Sequence, residues 1–345
     1  MNRVAYMNGT FNIEYDTVET PKPKDGEVLV KIEYVGICGS DVHFYENGRI
    51  GDFIVNGKFI LGHESGGTVV EVGAGVTTLK KGDRVALEPG ITCGKCEFCK
   101  SGHYNLCPDV KFFATPPYNG TFCDFVAHPA DMCFKLPDNV STMEGALVEP
   151  LAVGLHANKQ AGTKLGDTVV ILGSGCIGLV TMLSAKASGA SNIIVVDMLQ
   201  KRLDYAKKLG ATHIVNAKEQ DVYKTVDELT GGRGADIVFE TAGNKVTIHQ
   251  TSFLARRGGT VCLVGLAPDD EITYNFAKVM NKELTIKSVF RYCNLYQIAI
   301  NAISSGAIDV KSIVTHEFGF DQIKEGMDFV VNNSADVVKA VIKIS

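Results

Sequence analysis

The pattern of apolar and polar positions along the chain changes character near residue 150. Before it, short runs rich in β-branched residues at 28–35, 68–72 and 84–87 are separated by turn sequences such as Lys24-Asp25-Gly26, Gly73-Ala74-Gly75 and Lys81-Gly82-Asp83. Short strands at that spacing predict a small barrel or sandwich. After it, apolar runs at 169–172, 193–196, 213–215, 237–240 and 261–264 alternate with helical patterns, and Gln200–Leu209 carries Leu203, Ala206 and Leu209 at helical spacing. Strand and helix in alternation predict a doubly wound parallel sheet. The pattern returns to strands at 314–318 and 337–344, which are expected to rejoin the first domain. One uncharged window of 18 residues, 168–185, imitates a membrane span, but three glycines and several hydroxyl residues interrupt it. A strand, a turn and a buried helix account for it better.

Composition narrows the picture. At ~100 to 200 residues per domain, 345 residues predict two domains or three. With 45% hydrophobic and 21% charged residues the chain is neither disordered nor fibrous. The 34 Lys+Arg and 39 Asp+Glu sum to −5 and are interspersed, so there is no broad field to steer nucleic acid or an anionic membrane, which leaves small-molecule chemistry. Residues 1–11 show no basic region followed by an apolar stretch, so the expected location is the cytoplasm. Thiols stay reduced there, and the ten cysteines are expected to be metal ligands or buried thiols rather than disulfides.

Three constellations carry candidate chemistry. Cys93, Cys96, Cys99 and Cys107 form a CxxCxxCx7C cluster in a glycine- and lysine-containing loop. Four thiolates close a tetrahedral shell around zinc and leave no position for substrate, so this site should be structural. Cys107-Pro108 echoes an iron–sulfur ending, but the seven-residue gap before Cys107 does not fit the three-residue gap of that run. The second constellation, Gly173-Ser174-Gly175-Cys176-Ile177-Gly178, is GxGxxG directly after an apolar strand and at the opening of a helix, with Asp197 nineteen residues beyond Gly178. In that context Gly173, Gly175 and Gly178 let the backbone approach a pyrophosphate, and Asp197 can bond both ribose hydroxyls while repelling a 2′-phosphate. NAD is favoured over NADP, with Arg202 as the reservation because it brings a positive charge nearby. The third is dispersed: Cys38-Gly39-Ser40-Asp41-Val42-His43, Gly62-His63-Glu64 and Glu149-Pro150 hold the residue types of a catalytic zinc site, but taken alone they read better as a buried thiol, a satisfied histidine and solvated carboxylates.

Gly62-His63-Glu64-Ser65-Gly66-Gly67, with Gly73 and Val76 following, resembles the signature of the zinc-containing medium-chain alcohol dehydrogenases. Gly36-Ile37-Cys38-Gly39-Ser40-Asp41, the four-cysteine lobe and the GxGxxG fall in that family's order. Within the family the chain is most similar to the sorbitol and xylitol dehydrogenases, through Gly48-Arg49-Ile50-Gly51, Ala114-Thr115-Pro116-Pro117, Lys135-Leu136-Pro137-Asp138-Asn139-Val140, Glu144-Gly145-Ala146-Leu147-Val148-Glu149-Pro150-Leu151 and Val289-Phe290-Arg291-Tyr292-Cys293-Asn294. The resemblance implies an α/β chain: a GroES-like β-barrel catalytic domain over 1–152 with the zinc lobe at about 90–110, a doubly wound Rossmann NAD-binding domain over 153–288, and a return segment over 289–345. It also implies a homotetramer holding two zinc ions per subunit, one catalytic and one structural. Cys38, His63 and Glu64 match the catalytic zinc ligands, and Glu149 a carboxylate that reaches the zinc directly or through its water. Ser40 and His43 match a proton relay to solvent. Phe44, Phe112, Thr115, Glu149, Arg291 and Tyr292 match positions around the polyol, while Ile177, Asp197, Arg202, Val264, Gly265, Leu266, Val289, Phe290 and Arg291 lie along the dinucleotide. Phe44 stands where some sorbitol dehydrogenases have a tyrosine, so one hydrogen bond to substrate is expected to be absent. The implied reaction oxidises the second-carbon hydroxyl of a sugar alcohol to the ketose. Threonine- and butanediol-type dehydrogenases share most of these motifs, and a non-catalytic, crystallin-like zinc protein is the alternative of a different class.

Overall fold

The structure, a computed structural model, describes every residue except 268–270. The chain forms two compact units, Met1–Glu149 with Tyr296–Ser345, and Pro150–Leu295. The crossings thus fall at 149/150 and 295/296 rather than 152/153 and 288/289. The first lies inside the helix Thr142–Ala161. The second is delayed because Val289 still donates its amide to Leu263, continuing the parallel sheet past its last strand.

In the first unit a seven-stranded sheet runs Cys133–Lys135, Arg84–Leu87, Glu64–Val72, Glu27–Ile37, Lys339–Lys343, Val314–Gly319, with Phe125–Pro129 also paired to Glu27–Ile37. The central strand is long enough to pair Phe125–Pro129 along its first half and Lys339–Lys343 along its second. Its core face reads Val28, Val30 and Ile32, then shifts phase to Val35 and Ile37. An irregularity in pairing between Ile32 and Tyr34 makes that shift, since one extra residue turns every later side chain to the opposite face. Asn2–Met7, Ile13–Val18 and Phe59–Ile60 make a smaller antiparallel sheet, and Val4, Met7 and Ile13 join the same core.

The second unit is a six-stranded parallel sheet in the order His213–Asn216, Asn192–Asp197, Thr168–Leu172, Ala235–Glu240, Ala255–Leu263, Thr285–Ser288. Its core is Val170, Leu172, Ile194, Val196, Val215, Val238 and Val261, the apolar runs expected of strands covered on both faces. The sixth strand, Thr285–Ser288, has no such run: all four residues are exposed at the sheet edge. The window 168–185 resolves into the strand Thr168–Leu172, a glycine turn and the helix Cys176–Ala187. Among the described residues no helix is long and apolar enough to cross a membrane.

Candidate active site

Three side chains of the first unit converge. Cys38 follows the central strand and stands immediately before the helix Gly39–Asn47, which puts its sulfur at the positive end of the helix. Glu64 begins the neighbouring strand and His63 immediately precedes it. Ligand atoms of Cys38, His63 and Glu64 lie within 4.8 Å of one another. Asp41, fully buried, accepts hydrogen bonds from the Cys38 amide at 2.9 Å and the Gly62 amide at 2.8 Å, and its Oδ1 stands 3.8 Å from His63 Nδ1. One carboxylate therefore pins both ligand-bearing loops and sets a negative charge beside the imidazole, in the place second-layer carboxylates take in zinc sites.

The electrostatics favour a cation. Burial works against a charged imidazole at His63, yet Cys38, Asp41 and Glu149 outweigh it and raise its pKa to about 10. Burial pushes the Asp41 carboxyl up, against the pull of His63 and the two amides. A thiolate, an imidazole and a carboxylate within one negative pocket are a donor set that fits zinc and leaves a fourth position open. Glu149 is buried and feels His63 electrostatically, but its carboxylate is not among the converging atoms. Of the four expected ligands the fold gathers three.

Glu64 has a further partner. Lys339 Nζ, 3% exposed, donates to Glu64 Oε1 at 2.7 Å, to Oε2 at 2.8 Å and to the Ile37 carbonyl at 3.0 Å. Gly36, opposite Glu64 on the central strand, makes the room, for a Cβ there would overlap Glu64 Oε2.

The four cysteines of the lobe also converge. Cys96 and Cys99 sulfurs are 3.4 Å apart and Cys93 and Cys99 sulfurs 3.9 Å apart. Sulfurs bound at about 2.3 Å to a tetrahedral zinc stand about 3.8 Å apart, so the residues present fit that ion. Backbone amides of Cys96, Cys99 and Cys93 aim at the sulfurs of Cys93, Cys96 and Cys107 at 3.4, 3.5 and 3.4 Å. The amides of Lys95 and Cys96 lower the Cys93 thiol to about 6. At Cys96 the Cys99 amide pulls the thiol down, but burial and the adjacent sulfurs push it up to about 11. Tyr104, between the third and fourth cysteines, donates to Glu88 Oε1 at 2.7 Å. Burial drives that carboxyl up to about 7, against the Tyr104 bond and with help from the charge of Glu149.

In the second unit the glycine turn is built as its spacing implied. Gly173 has φ +101°, a Cβ on Gly178 would overlap the Gly173 carbonyl, and a Cβ on Gly175 would meet only Arg202 Nη1 at 3.7 Å. Ile177 lies in the first turn of the helix that follows. Asp197 ends its strand and accepts from the Ser174 amide at 2.7 Å and the Leu199 amide at 3.0 Å. Glu240, 0% exposed, organises the opposite lip. Its Oε1 accepts from Ala242, Gly243 and Thr247, and its carbonyl accepts from Val264 and Gly265. The lips meet at the carboxyl ends of Thr168–Leu172 and Ala235–Glu240, where the strand order reverses and doubly wound sheets bind ligands.

The remaining expected residues divide between the units. Phe112 lies against His63, ring centroids 5.7 Å apart, and the Thr115 amide donates to the Phe112 carbonyl. Phe44 is buried against Phe59, while Ser40 is partly buried and His43 exposed on the helix Gly39–Asn47. Leu266 and Phe290 are exposed in the second unit and Tyr292 is buried there. Arg291 has φ +56°, a conformation few non-glycine residues adopt, and its guanidinium lies 4.8 Å over the Phe290 ring. Asp41, Glu88, Glu240 and Lys339 were not singled out in the sequence. Asp41 had a signal, an acid three residues after Cys38 in a helix first turn. Lys339 had only its oddness, one lysine inside Val337-Val338-Lys339-Ala340-Val341-Ile342.

Residues 24–138 match the alcohol dehydrogenase GroES-like domain and residues 176–305 the zinc-binding dehydrogenase family. An uncharacterized zinc-type alcohol dehydrogenase-like protein of Escherichia coli K12 is 51% identical over 344 residues, 99% of this chain and 98% of the relative. The sorbitol dehydrogenase of Gallus gallus is 45% identical over 343 residues, 99% of this chain and 95% of the relative. The crystal structure of an Escherichia coli oxidoreductase/dehydrogenase of unknown specificity superposes with a TM-score of 0.96 at 48% identity, covering 100% of this chain and 99% of that one. With a Cys-His-Glu trio and a four-cysteine lobe already in place, these matches show that the chain belongs to the zinc-binding alcohol dehydrogenases, with sorbitol dehydrogenase among its relatives.

Proposed function

We propose that the protein is an NAD-dependent polyol dehydrogenase that oxidises the second-carbon hydroxyl of a five- or six-carbon sugar alcohol to the ketose. The observation that carries the reading is the convergent trio of half-buried Cys38 with buried His63 and Glu64, in a chain 45% identical to a sorbitol dehydrogenase. When bound, zinc supplies the Lewis acidity that makes a secondary hydroxyl acidic near neutral pH, and the nicotinamide accepts the hydride. The chain's own residues do the rest. Asp41 sets a negative charge beside His63, and Ser40 with exposed His43 passes the released proton to solvent. Glu149 adds negative charge beside His63 and takes part in proton handling there. Gly173, Gly175 and Gly178 receive the pyrophosphate, and Asp197 the adenosine ribose. Arg291 and Tyr292 take the further hydroxyls that distinguish a polyol from a simple alcohol, the role the family resemblance gives them.

The reading includes a cytoplasmic homotetramer. Support for assembly comes from the open edge Thr285–Ser288 and from Phe276 and Met280 nearby in the chain, 67% and 76% exposed. The test is a substrate panel with zinc-replete enzyme and NAD, followed by NADH absorbance. Sorbitol or xylitol should be oxidised well ahead of ethanol or threonine. Arg291→Ala should lower kcat/KM for the polyol by ~10- to 1000-fold, the scale of one or two charge-assisted hydrogen bonds. Preference for ethanol or threonine in the unmodified enzyme would sink the polyol assignment.

A further inference from the structure

Glu64 is asked to do two things with one carboxylate. As a ligand it must turn an oxygen toward Cys38 and His63, yet both its oxygens are already hydrogen-bonded to Lys339. Both side chains are almost completely buried, at 1% and 3% exposure, so their attraction is little screened by bulk solvent. The ammonium does not depend on Glu64 for its place, because the Ile37 carbonyl holds it too. The carboxylate has been given a dedicated slot by the absence of a side chain at Gly36.

We propose that Lys339 is a positioning residue that competes for Glu64 and makes it an exchangeable metal ligand. The inference rests on the assignment of a catalytic zinc to Cys38, His63 and Glu64. A lysine suits the task because its ammonium is a compact point charge on a flexible stem, which can slacken its hold on one oxygen without losing the other. Its positive charge also keeps an anionic pocket from quenching the metal: Cys38, Glu64, Asp41 and Glu149 all bring acidic groups to this region. A carboxylate shared between lysine and metal binds the metal less tightly than one given wholly to it. The sharing leaves the ion more electrophilic and its coordination easier to rearrange.

The experiment measures zinc, not turnover. Chelator-driven zinc release from the purified, fully loaded enzyme is followed with an indicator dye. The phase belonging to the trio is identified by its absence from Cys38→Ser. Lys339→Met should slow that phase by about tenfold or more, because the competing cation is gone and a buried charge is left for the metal alone to neutralise. Lys339→Arg should speed it by about threefold or more, since a guanidinium grips both carboxylate oxygens in a rigid fork. In a Glu64→Gln background neither substitution should change release by more than about twofold, a cycle that a merely structural lysine would not satisfy. If Lys339→Met does not fold, Lys339→Arg decides alone. Unchanged release in the Arg variant, or an equal effect with and without Glu64, overturns the proposal. Uptake of zinc at the four-cysteine lobe only overturns it together with the assignment on which it rests, and is recognised by a loaded enzyme that already lacks the Cys38-dependent phase.

Discussion

At Asp197 the two carboxylate oxygens each hold a backbone amide, from Ser174 and from Leu199. The charge is therefore fixed at the glycine turn, where a 2′-phosphate would be set against it in a partly desolvated pocket. Asp197→Ala should raise KM for NAD and improve relative use of NADP, and steady-state kinetics with both cofactors checks this. A wild-type enzyme preferring NADP would contradict it directly. Glu88 gives a pH signature. Its pKa rises from 4.5 to about 7, so between those values the folded chain binds a proton that the unfolded chain has released. Stability then falls as pH rises through that window, because ionisation costs more inside the fold than outside it. Glu88→Gln keeps an acceptor for Tyr104 and removes the charge. Its melting temperature should match wild type near pH 4.5 and exceed it by a few degrees above pH 7; an offset equal at both ends rejects the buried-charge account. Among single residues, what could be read beforehand was chemistry carried by local motif, such as Cys38, His63-Glu64 and the glycines. Lys339 could not be, since its meaning depends on a partner 275 residues away.

At the scale of elements, legibility followed burial. Strands covered on both faces, such as Thr168–Leu172 and Asn192–Asp197, were found within a residue or two of their ends because burial demands a continuous apolar run. Thr285–Ser288 was missed because an exposed edge strand needs no such run. Asn2–Met7 and Ile13–Val18 were missed as well; the second has one buried residue in six, so little of its pairing is written as hydrophobicity. The four-cysteine lobe is the opposite case, an element defined by its ligands. It has one four-residue helix, Glu97–Lys100, and one three-residue turn, Tyr104–Leu106, too little to fold by packing alone. Cys99→Ser should lower the melting temperature, with metal analysis showing one zinc lost and the other kept. A variant as stable as wild type would remove the structural assignment.

At the scale of the whole molecule, the change of texture near residue 150 announced two units, but not where the chain crosses between them. Both crossings lie within or just beside regular structure, where hydrophobic periodicity carries no mark. Assembly was not visible in periodicity at all. Sedimentation should give the mass of four chains, and Ile286→Asp, on the open edge at 40% exposure, should shift it toward smaller species while leaving each subunit folded. A native mass unchanged by this substitution would mean that the edge is not an assembly surface.

The pairing of Glu64 with a lysine so much later in the chain also orders events in time. On the ribosome, the strand Glu64–Val72 emerges long before Lys339–Lys343 is made, and slow closure of such long-range pairs is the general rule. During that interval Cys38, His63, Glu64 and all four lobe cysteines are present in the nascent polypeptide, and Lys339 is not. Zinc captured then would meet Glu64 before its lysine partner exists, and the pairing with Lys339 would follow. Translation itself would thereby separate loading from tuning.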